Sequence, residues 1–257
     1  MDRYALITGA SSGIGKESGR ILASKGYNLV IVARREERLK ELALEINGQF
    51  EQKVLVLQKD LSVLTSAQEI FDELRSKGIQ VEVLINNAGY ALYPDFLSHG
   101  LEDLNKMLNV NITTLTNLTW LFAQEMVKNG CGYILQLSSV GAFQPSPNYA
   151  AYSASKAYVM LLGEALDHEL SGKNVSVTTM YPGATKTEFH QTAEHEPSRL
   201  VTMTYMSAHT VAKAGIDAMF ARRRSITPGL LNKLMVFFVQ LLPRKSATAI
   251  ADRLMRT

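Results

Sequence analysis

The stretch Tyr4-Ala5-Leu6-Ile7-Thr8-Gly9-Ala10-Ser11-Ser12-Gly13-Ile14-Gly15 sets the pattern for the rest of the chain. Its first five residues form a short apolar run, which is typical of a strand covered on both faces. A cluster of glycines follows, and a helical pattern then extends from about Ile14 to Lys25. A strand, a glycine-rich turn and a helix in this order predict the first unit of an α/β fold.

Short apolar runs and helical patterns continue to alternate along the chain. Further strands are predicted at Asn28–Val32, Val54–Leu57, Val81–Ile85, Tyr133–Leu137 and Val175–Met180. Helices are predicted at about Glu36–Ile46, Ser66–Ser76, Leu101–Lys128, Tyr152–Leu170 and Ser207–Arg222. This order predicts a single-domain, doubly wound Rossmann fold, with a parallel sheet and helices on both of its faces. Residues 1–225 would form the domain, including a polar loop at about 184–206, and residues 226–257 would be a helical extension of it.

Composition excludes several classes of protein. The 257 residues are 46% hydrophobic and 20% charged, which is ordinary for a globular domain. A net charge of +3 is too small to indicate nucleic-acid binding. The single cysteine, Cys131, cannot form an internal disulfide. No signal-peptide pattern precedes the first strand, so we expect a cytoplasmic protein.

The glycine-rich turn has the features of a dinucleotide site. Gly9 allows a tight turn, Gly13 lets a pyrophosphate approach the backbone, and Gly15 permits close packing of helix and strand. Free N–H groups and the positive end of the helix dipole would face the phosphates. The residues predicted to contact the cofactor here are Gly9, Ser11, Ser12, Gly13, Ile14 and Gly15. A glycine-rich turn alone could be structural, but its place in the first βα unit favours the binding site.

The end of the second predicted strand indicates which dinucleotide binds. An NAD site usually has an Asp or Glu there to hold the ribose 2′-hydroxyl. Here the position is Ala33, and Arg34 and Arg35 follow at the start of a helix, where the dipole disfavours cations. A 2′-phosphate would give both arginines a partner, which favours NADP(H). The alternative is two solvated arginines balanced by the glutamates that follow.

Tyr152 and Lys156 are candidates for acid–base chemistry. Tyr152 alone among the ten tyrosines has a lysine four residues later, a spacing that puts both side chains on one helical face. A nearby ammonium favours the phenolate, so we expect the pKa of Tyr152 to lie below its usual value of about 10. The pair alone could equally be a surface contact.

With these motifs in order, the chain resembles the classical short-chain dehydrogenase/reductase family between about Ala5 and Thr187. The turn matches the family's T-G-x3-G-x-G, and Ser139 lies at the family's usual distance before Tyr152. The other matching positions are Asp60-Leu61, Asn86-Asn87-Ala88-Gly89, Asn111, and Pro182-Gly183 with Thr187.

The resemblance implies a role for each matching residue. Tyr152 would exchange a proton with the substrate oxygen, Ser139 would hydrogen-bond that oxygen, and Lys156 would lower the pKa of Tyr152 and hold the nicotinamide ribose. Asn111 would hold a water that links Lys156 to solvent. Ser138 is an alternative to Ser139 that only the spacing disfavours. Further cofactor contacts would come from Asp60, Leu61, Asn87, Ala88, Gly89, Pro182, Gly183, Thr185 and Thr187.

We therefore expect an NADP(H)-dependent oxidoreductase that interconverts a ketone or aldehyde and an alcohol. Phe143 and Tyr149, with Phe189 and Met203 in the polar loop, favour an apolar substrate. A hydroxy-acid or sugar alcohol is the alternative within the class, and Lys186 or Arg199 could anchor it. A protein that binds NADP(H) without turnover is the alternative outside enzymes, although such proteins typically lose the tyrosine or the lysine.

Two further expectations concern partners and metals. We expect a homo-oligomer, with Val159, Leu162, Gly163 and Leu166 on the outward face of the Tyr152 helix. The apolar stretch Leu230–Leu242 is too short to cross a membrane and would pack on a subunit or the pocket; contact with a membrane surface is the less favoured alternative. No metal site is expected, because His190 and His195 lack an ordered ligand spacing.

Overall fold

The computed structural model describes residues 2–188 and 204–255. The first half contains β1 (Tyr4–Thr8), α1 (Gly13–Ser24), β2 (Asn28–Ala33), α2 (Glu36–Gln49), β3 (Val54–Gln58), α3 (Ser66–Ser76), β4 (Val81–Asn86), α4 (Leu101–Leu108) and α5 (Leu115–Asn129). The second half contains β5 (Gly132–Leu137), α6 (Ala150–Leu170), β6 (Val175–Met180), β7 (Thr185–Lys186), β8 (Met206–Ser207), α7 (Ala208–Phe220), β9 (Ser225–Ile226), α8 (Leu230–Leu241) and α9 (Arg244–Met255).

Seven strands form one parallel sheet in the order β3-β2-β1-β4-β5-β6-β9. The strand order reverses direction at β1, where the chain crosses from β3 to β4. The carboxyl ends of β1 and β4 therefore lie side by side at this switch point, which is where ligands bind in open α/β sheets. The predicted doubly wound Rossmann fold is confirmed.

Helices cover both faces of the sheet, and each face has its own hydrophobic cluster. One cluster joins the strands to α1, α2 and α7, through side chains such as Leu22, Leu42 and Ile216. The other joins them to α3, α5 and α6, through Ile70 and Phe122 among others. Because the central strands are buried on both faces, their sequences are continuous apolar runs rather than alternating ones.

The structure adds short elements that the sequence pattern did not predict. Strands β7 and β8 pair with each other, and β9 extends the main sheet beside β6. Each of these strands is two residues long, too short to show a hydrophobic period. The region predicted as a single helix from Leu101 to Lys128 is interrupted by a π-helical segment, Asn109–Thr114.

The predicted outward face of α6 is wrong. Val159 and Gly163 are buried, and Leu162 and Leu166 are partly buried. The exposed large apolar side chains of this helix are Tyr158 and Leu161. Gly163 faces the sheet. A Cβ atom at this position would lie only 2.1 Å from the Oγ1 atom of Thr179 on β6. The glycine therefore lets α6 sit close to the sheet.

This close packing leads to a test of stability. We expect Gly163→Ala to lower the free energy of unfolding by about 1–3 kcal/mol, because the added methyl group forces β6 and α6 apart. Gly48→Ala in α2 is the matched control, since a Cβ at Gly48 meets nothing within 4 Å. It should stabilise the protein by up to about 1 kcal/mol. Urea denaturation of both variants measures the difference, and equal effects would contradict the proposed fit of α6.

Candidate active site

Tyr152, Ser139 and Lys156 meet at the carboxyl end of β5. Tyr152 and Lys156 lie in the first two turns of α6, and Ser139 follows β5 directly. The Ser139 hydroxyl hydrogen-bonds the phenol of Tyr152. The Lys156 Nζ atom lies 5.7 Å from the centre of the Tyr152 ring and donates to the Leu137 carbonyl at 2.9 Å. The three side chains that the sequence pattern selected are therefore brought together.

The two neighbouring serines have different environments. The Ser138 hydroxyl is buried and donates to the Lys156 carbonyl at 2.7 Å, so it holds β5 against α6. Ser139 begins a short 3-10 helix, Val140–Phe143, and its hydroxyl accepts from the Gly141 amide at 3.1 Å. It is Ser139 that reaches Tyr152.

The ionisation of the pair differs from the expectation. Loss of solvent around the phenol raises the pKa of Tyr152 to about 12, and the hydrogen bond from Ser139 acts in the opposite direction. Burial lowers the pKa of Lys156 to about 8. The predicted lowering of the tyrosine pKa is therefore wrong here, because burial penalises both charged forms and the lysine ammonium bonds the Leu137 carbonyl.

Asn111 connects the loop after β4 to α6. It is fully buried in the π-helical segment, and its Nδ2 group donates to the Tyr90 carbonyl and to the Ser155 hydroxyl, each at 3.0 Å. Its Oδ1 atom accepts from the Tyr90 amide at 3.2 Å. Both Nδ2 hydrogens are thus used within the protein. A water bound by Asn111, as the resemblance implies, would have to use the remaining lone pair on Oδ1.

The glycine-rich turn is tied to the loop after β4. The Thr8 hydroxyl accepts from the amides of Asn87 and Ala88, each at 3.0 Å. The Asn87 side chain donates to the carbonyls of Thr8 and Gly9 at 2.9 and 3.2 Å. Gly9 has a φ of +68°, and a Cβ there would lie 2.7 Å from the Asn87 amide nitrogen. Glycine is therefore required at this contact.

The start of α1 fits a phosphate group. Gly13 has a φ of +54°, and a Cβ atom there would lie 2.8 Å from the Thr187 side chain. A Cβ atom at Gly15 would lie 2.4 Å from the Gly9 carbonyl oxygen. Ser12 caps the helix through its backbone alone, with no hydrogen bond from its side chain to the first turn. The amides of that turn and the positive end of the helix dipole are suited to hold an anion. Ile14 is partly buried beside them.

The predicted 2′-phosphate site contains more charged groups than the sequence pattern indicated. The Arg35 guanidinium donates to the hydroxyls of Ser11 and Ser12 at 3.0 and 2.9 Å and pairs with Glu188 at 2.6 Å. Glu188 also pairs with Arg38. The two guanidinium groups, Arg38 first, hold the pKa of Glu188 below its ordinary value. Arg34 is exposed, and its charge contributes to a lowered pKa of Asp60.

Asp60 and Leu61 border the same end of the sheet. The carboxylate of Asp60 accepts from the Ser62 amide at 2.9 Å and from the Ser62 hydroxyl at 2.8 Å. Burial by itself would raise the pKa of this carboxyl, but the two bonds from Ser62 and the charges of Arg34 and Lys106 together lower it. The carbonyl of the buried Leu61 accepts from Thr114 at 2.8 Å. The lowered pKa keeps the Asp60 carboxylate ionised, so that it can accept hydrogen bonds.

The segment after β6 closes one side of the site. Thr185 is buried, and its hydroxyl donates to the Gly183 carbonyl at 3.0 Å. Pro182 accepts from the Val140 amide at 3.0 Å, which ties this segment to the helix after Ser139. Thr187 packs on Gly13 of the cofactor turn.

The predicted substrate residues separate into two places. Tyr149 lies beside Tyr152, with ring centres 6.1 Å apart, and also packs on Tyr93 at 5.2 Å. Phe143 packs instead on Tyr181, with ring centres 4.8 Å apart. Phe189, His190, His195, Arg199 and Met203 lie outside the described residues. Within residues 2–188 and 204–255, no group of three or more His, Cys, Asp or Glu side chains is arranged to hold a metal.

This geometry agrees with comparisons to known proteins. The profile of the family described as short chain dehydrogenase matches residues 3–198. The chain belongs to this family. The short-chain dehydrogenase from Sphingobium yanoikuyae, solved in complex with NADPH, is 30% identical, superposes with a TM-score of 0.82, and the match covers 95% of this chain and 97% of that one.

Two other relatives of this short chain dehydrogenase differ in the substrates that their names give. Sulfoacetaldehyde reductase 2 of Chromohalobacter salexigens is 38% identical over 74% of this chain and 75% of its own length. Human 17-beta-hydroxysteroid dehydrogenase type 3 is 28% identical over 95% of this chain and 76% of its own length. Membership of the family thus leaves both polar and apolar substrates open.

Sequence reasoning missed Glu188 and Arg38 of this short chain dehydrogenase. Arg38 lies three residues after Arg35, so helical spacing could have indicated that both point the same way. Glu188 lies 153 residues from Arg35 in the chain, and no local pattern connects them.

The buried lysine leads to a test of pH dependence. The pKa of Lys156 is lowered from 10.5 to about 8, so the unfolded chain binds more protons than the folded protein between these values. The free energy of unfolding contributed by this group should therefore rise with pH across that window. We expect the wild-type protein to gain stability relative to Lys156→Met between about pH 7 and 10. Parallel pH profiles from urea denaturation would contradict the lowered pKa.

Proposed function

We propose that this short chain dehydrogenase transfers hydride between NADP(H) and a carbonyl or alcohol substrate. The observation that carries the proposal is the cluster of Ser139, Tyr152 and Lys156 beside the glycine-rich turn. A phenol hydrogen-bonded to a serine hydroxyl can both position a substrate oxygen and supply its proton.

Each side chain has a separate role in the proposed carbonyl reduction. The bound cofactor supplies the hydride. Tyr152, with a pKa of about 12, is protonated at neutral pH and donates its proton to the carbonyl oxygen. Ser139 donates a hydrogen bond to the same oxygen and stabilises the charge that develops there. In alcohol oxidation Tyr152 takes the proton back, for which the ammonium of Lys156 stabilises the phenolate.

The chain offers hydrogen-bond donors and an acceptor whose positions fit a dinucleotide. The amides at the start of α1 would hold the pyrophosphate, and Asp60 would accept from the adenine. Arg35 and Arg34 would bind a 2′-phosphate, while the acid that an NAD site usually has is absent at Ala33. The solved relative with NADPH supports this preference.

An apolar substrate is supported by the aromatic wall beside Tyr152. Tyr93 and Tyr149 pack together there, and Ala91 completes a small apolar cluster. The steroid dehydrogenase among the relatives is consistent with it. The relative that reduces sulfoacetaldehyde supports the polar alternative. For that alternative the exposed Lys186 on β7 would supply the cation that a sulfonate or carboxylate needs.

A homo-oligomer stays a prediction, as does a cytoplasmic location. Helices α5 and α6 are the candidates for the contact between subunits, because they expose the large apolar side chains Trp120, Tyr158 and Leu161. These residues replace Val159 and Gly163 as the candidates for the contact.

Site-directed variants with a panel of carbonyls and NADPH test the reaction. We expect Tyr152→Phe to lower kcat by roughly 10²–10⁴, because the proton donor is lost. Ser139→Ala should lower kcat by roughly 10²–10³. NADPH binding, measured by fluorescence, should remain in both variants.

Ser138→Ala is the matched control. It removes a structural bond to the Lys156 carbonyl, so it should cost about 1 kcal/mol of stability and leave most of the turnover. Tight NADPH binding by the wild-type protein without turnover of any carbonyl or alcohol would instead support the non-catalytic sensor.

The cofactor preference has its own test. Arg35→Ala should weaken NADPH binding about tenfold to a hundredfold and leave NADH binding unchanged, because a charge-assisted bond to the phosphate is lost. Glu188→Gln should tighten NADPH binding, since its carboxylate competes for the same guanidinium groups. Lys40→Ala is the control, a cation on the same helix that pairs with Glu36 and Glu37. Equal losses for both cofactors in Arg35→Ala and Arg34→Ala would contradict the 2′-phosphate assignment.

A further inference from the structure

Helix α8 exposes most of its large apolar side chains and buries a polar one. Asn232 is its buried side chain, and the amide donates to the Pro228 carbonyl at 2.8 Å. Leu230, Leu231, Leu234, Phe237, Phe238 and Leu241 point away from the protein, with exposed fractions between 46% and 75%. A helix on the surface of a globular protein normally turns its polar face outward. An apolar face of this size marks an interaction surface.

The chain around this face is strongly basic. Between Ala218 and Ala251 it contains no Asp or Glu, and its six basic residues are Arg222, Arg223, Arg224, Lys233, Arg244 and Lys245. The whole chain has a net charge of only +3, so the remainder is net negative. Positive charge is therefore concentrated in the part of the sequence that contains α8 and flanks it, although Arg224 pairs with Glu164 and Arg222 lies over the Tyr133 ring.

Within the described part of the chain, some of these cations have no acidic partner. Among the described residues, no carboxylate lies within salt-bridge distance of Arg223, Lys233, Arg244 or Lys245. Arg223 and Lys233 line one open groove of about 370 Å³ together with Phe237. The groove thus combines two cations with an apolar side chain at its edge.

We propose that α8 and the basic residues around it form a docking surface for an anionic phospholipid bilayer. The outward leucines and phenylalanines would enter the acyl region, and the cations would contact phosphate headgroups. At 12 residues the helix is about 18 Å long, which is too short to cross a hydrocarbon core of about 30 Å. No helix in the described part of the chain is long and apolar enough to do so.

Charge favours the bilayer over a second copy of the chain. A symmetric contact would place this basic surface against an identical one, which costs free energy through repulsion between like charges. An anionic bilayer complements both features of the surface at once. Helix α8 also packs against the 3-10 helix after Ser139, and Asn232 packs against Gly183. Docking would therefore bring the substrate side of the proposed active site close to the lipid.

Vesicle cosedimentation of the full chain tests the proposal. We expect the wild-type protein to bind phosphatidylcholine vesicles that contain about a quarter phosphatidylserine, and to be released by about 1 M salt, which shortens the Debye length to about 3 Å. Phe238→Asp and Leu241→Asp should each weaken binding by roughly tenfold or more. Lys233→Ala should weaken it by about fivefold.

Leu44→Asp is the matched control, because Leu44 is 73% exposed on α2, far along the chain from the basic segment. It should bind vesicles as the wild-type protein does. Thermal unfolding and light scattering of every variant separate loss of binding from loss of the fold. Wild-type protein that stays in the supernatant, or that binds pure phosphatidylcholine equally well, would overturn the proposal. So would a wild-type oligomer that Phe238→Asp dissociates without any vesicle binding, since a second copy would then cover this face.

Discussion

The site depends on the hydrogen bonds that join the ends of β1 and β4. One hydroxyl, that of Thr8, accepts from two successive amides of the Asn87-Ala88 segment, and the Asn87 side chain returns two bonds to the turn. These groups are buried or nearly so, where an unpaired donor would cost about 1–3 kcal/mol. The turn and the loop can therefore move only together. Gly89, at the end of that loop, lies against Asn111 and Lys156, so the same bonds position the cofactor turn relative to the reacting side chains.

Burial determines the resting protonation of the proposed catalytic pair. The phenol of Tyr152 and the ammonium of Lys156 both lose solvent, which raises the pKa of the tyrosine to about 12 and lowers the pKa of the lysine to about 8. At neutral pH the tyrosine is therefore neutral, while the lysine still carries its charge. A tyrosine that keeps its proton at neutral pH is suited to donate it. The arrangement differs from a simple ion pair, in which the lysine charge alone would decide the tyrosine pKa.

The segment from Pro182 to Glu188 connects three parts of the molecule. Thr187 packs on Gly13 of the cofactor turn, Glu188 pairs with Arg35 and Arg38, and Gly183 packs on Asn232 of α8. A cofactor phosphate that displaced the Glu188 carboxylate would act on the same short segment that supports α8. The proposed phosphate site, the proposed substrate side and the proposed membrane surface thus share one structural element.

The sequence by itself determined the order of the strands and helices, the glycine turn and the Tyr152–Lys156 spacing. These features are local: an apolar run, a turn that needs glycine and an i,i+4 pair depend on neighbours in the chain. Only the tertiary structure decided the direction of the Tyr152 pKa shift, the pairing of Arg35 with Glu188 and the exposure of the apolar side chains of α8. Solvent exposure and contacts between residues 153 positions apart arise from packing of the whole chain, and no local pattern encodes them.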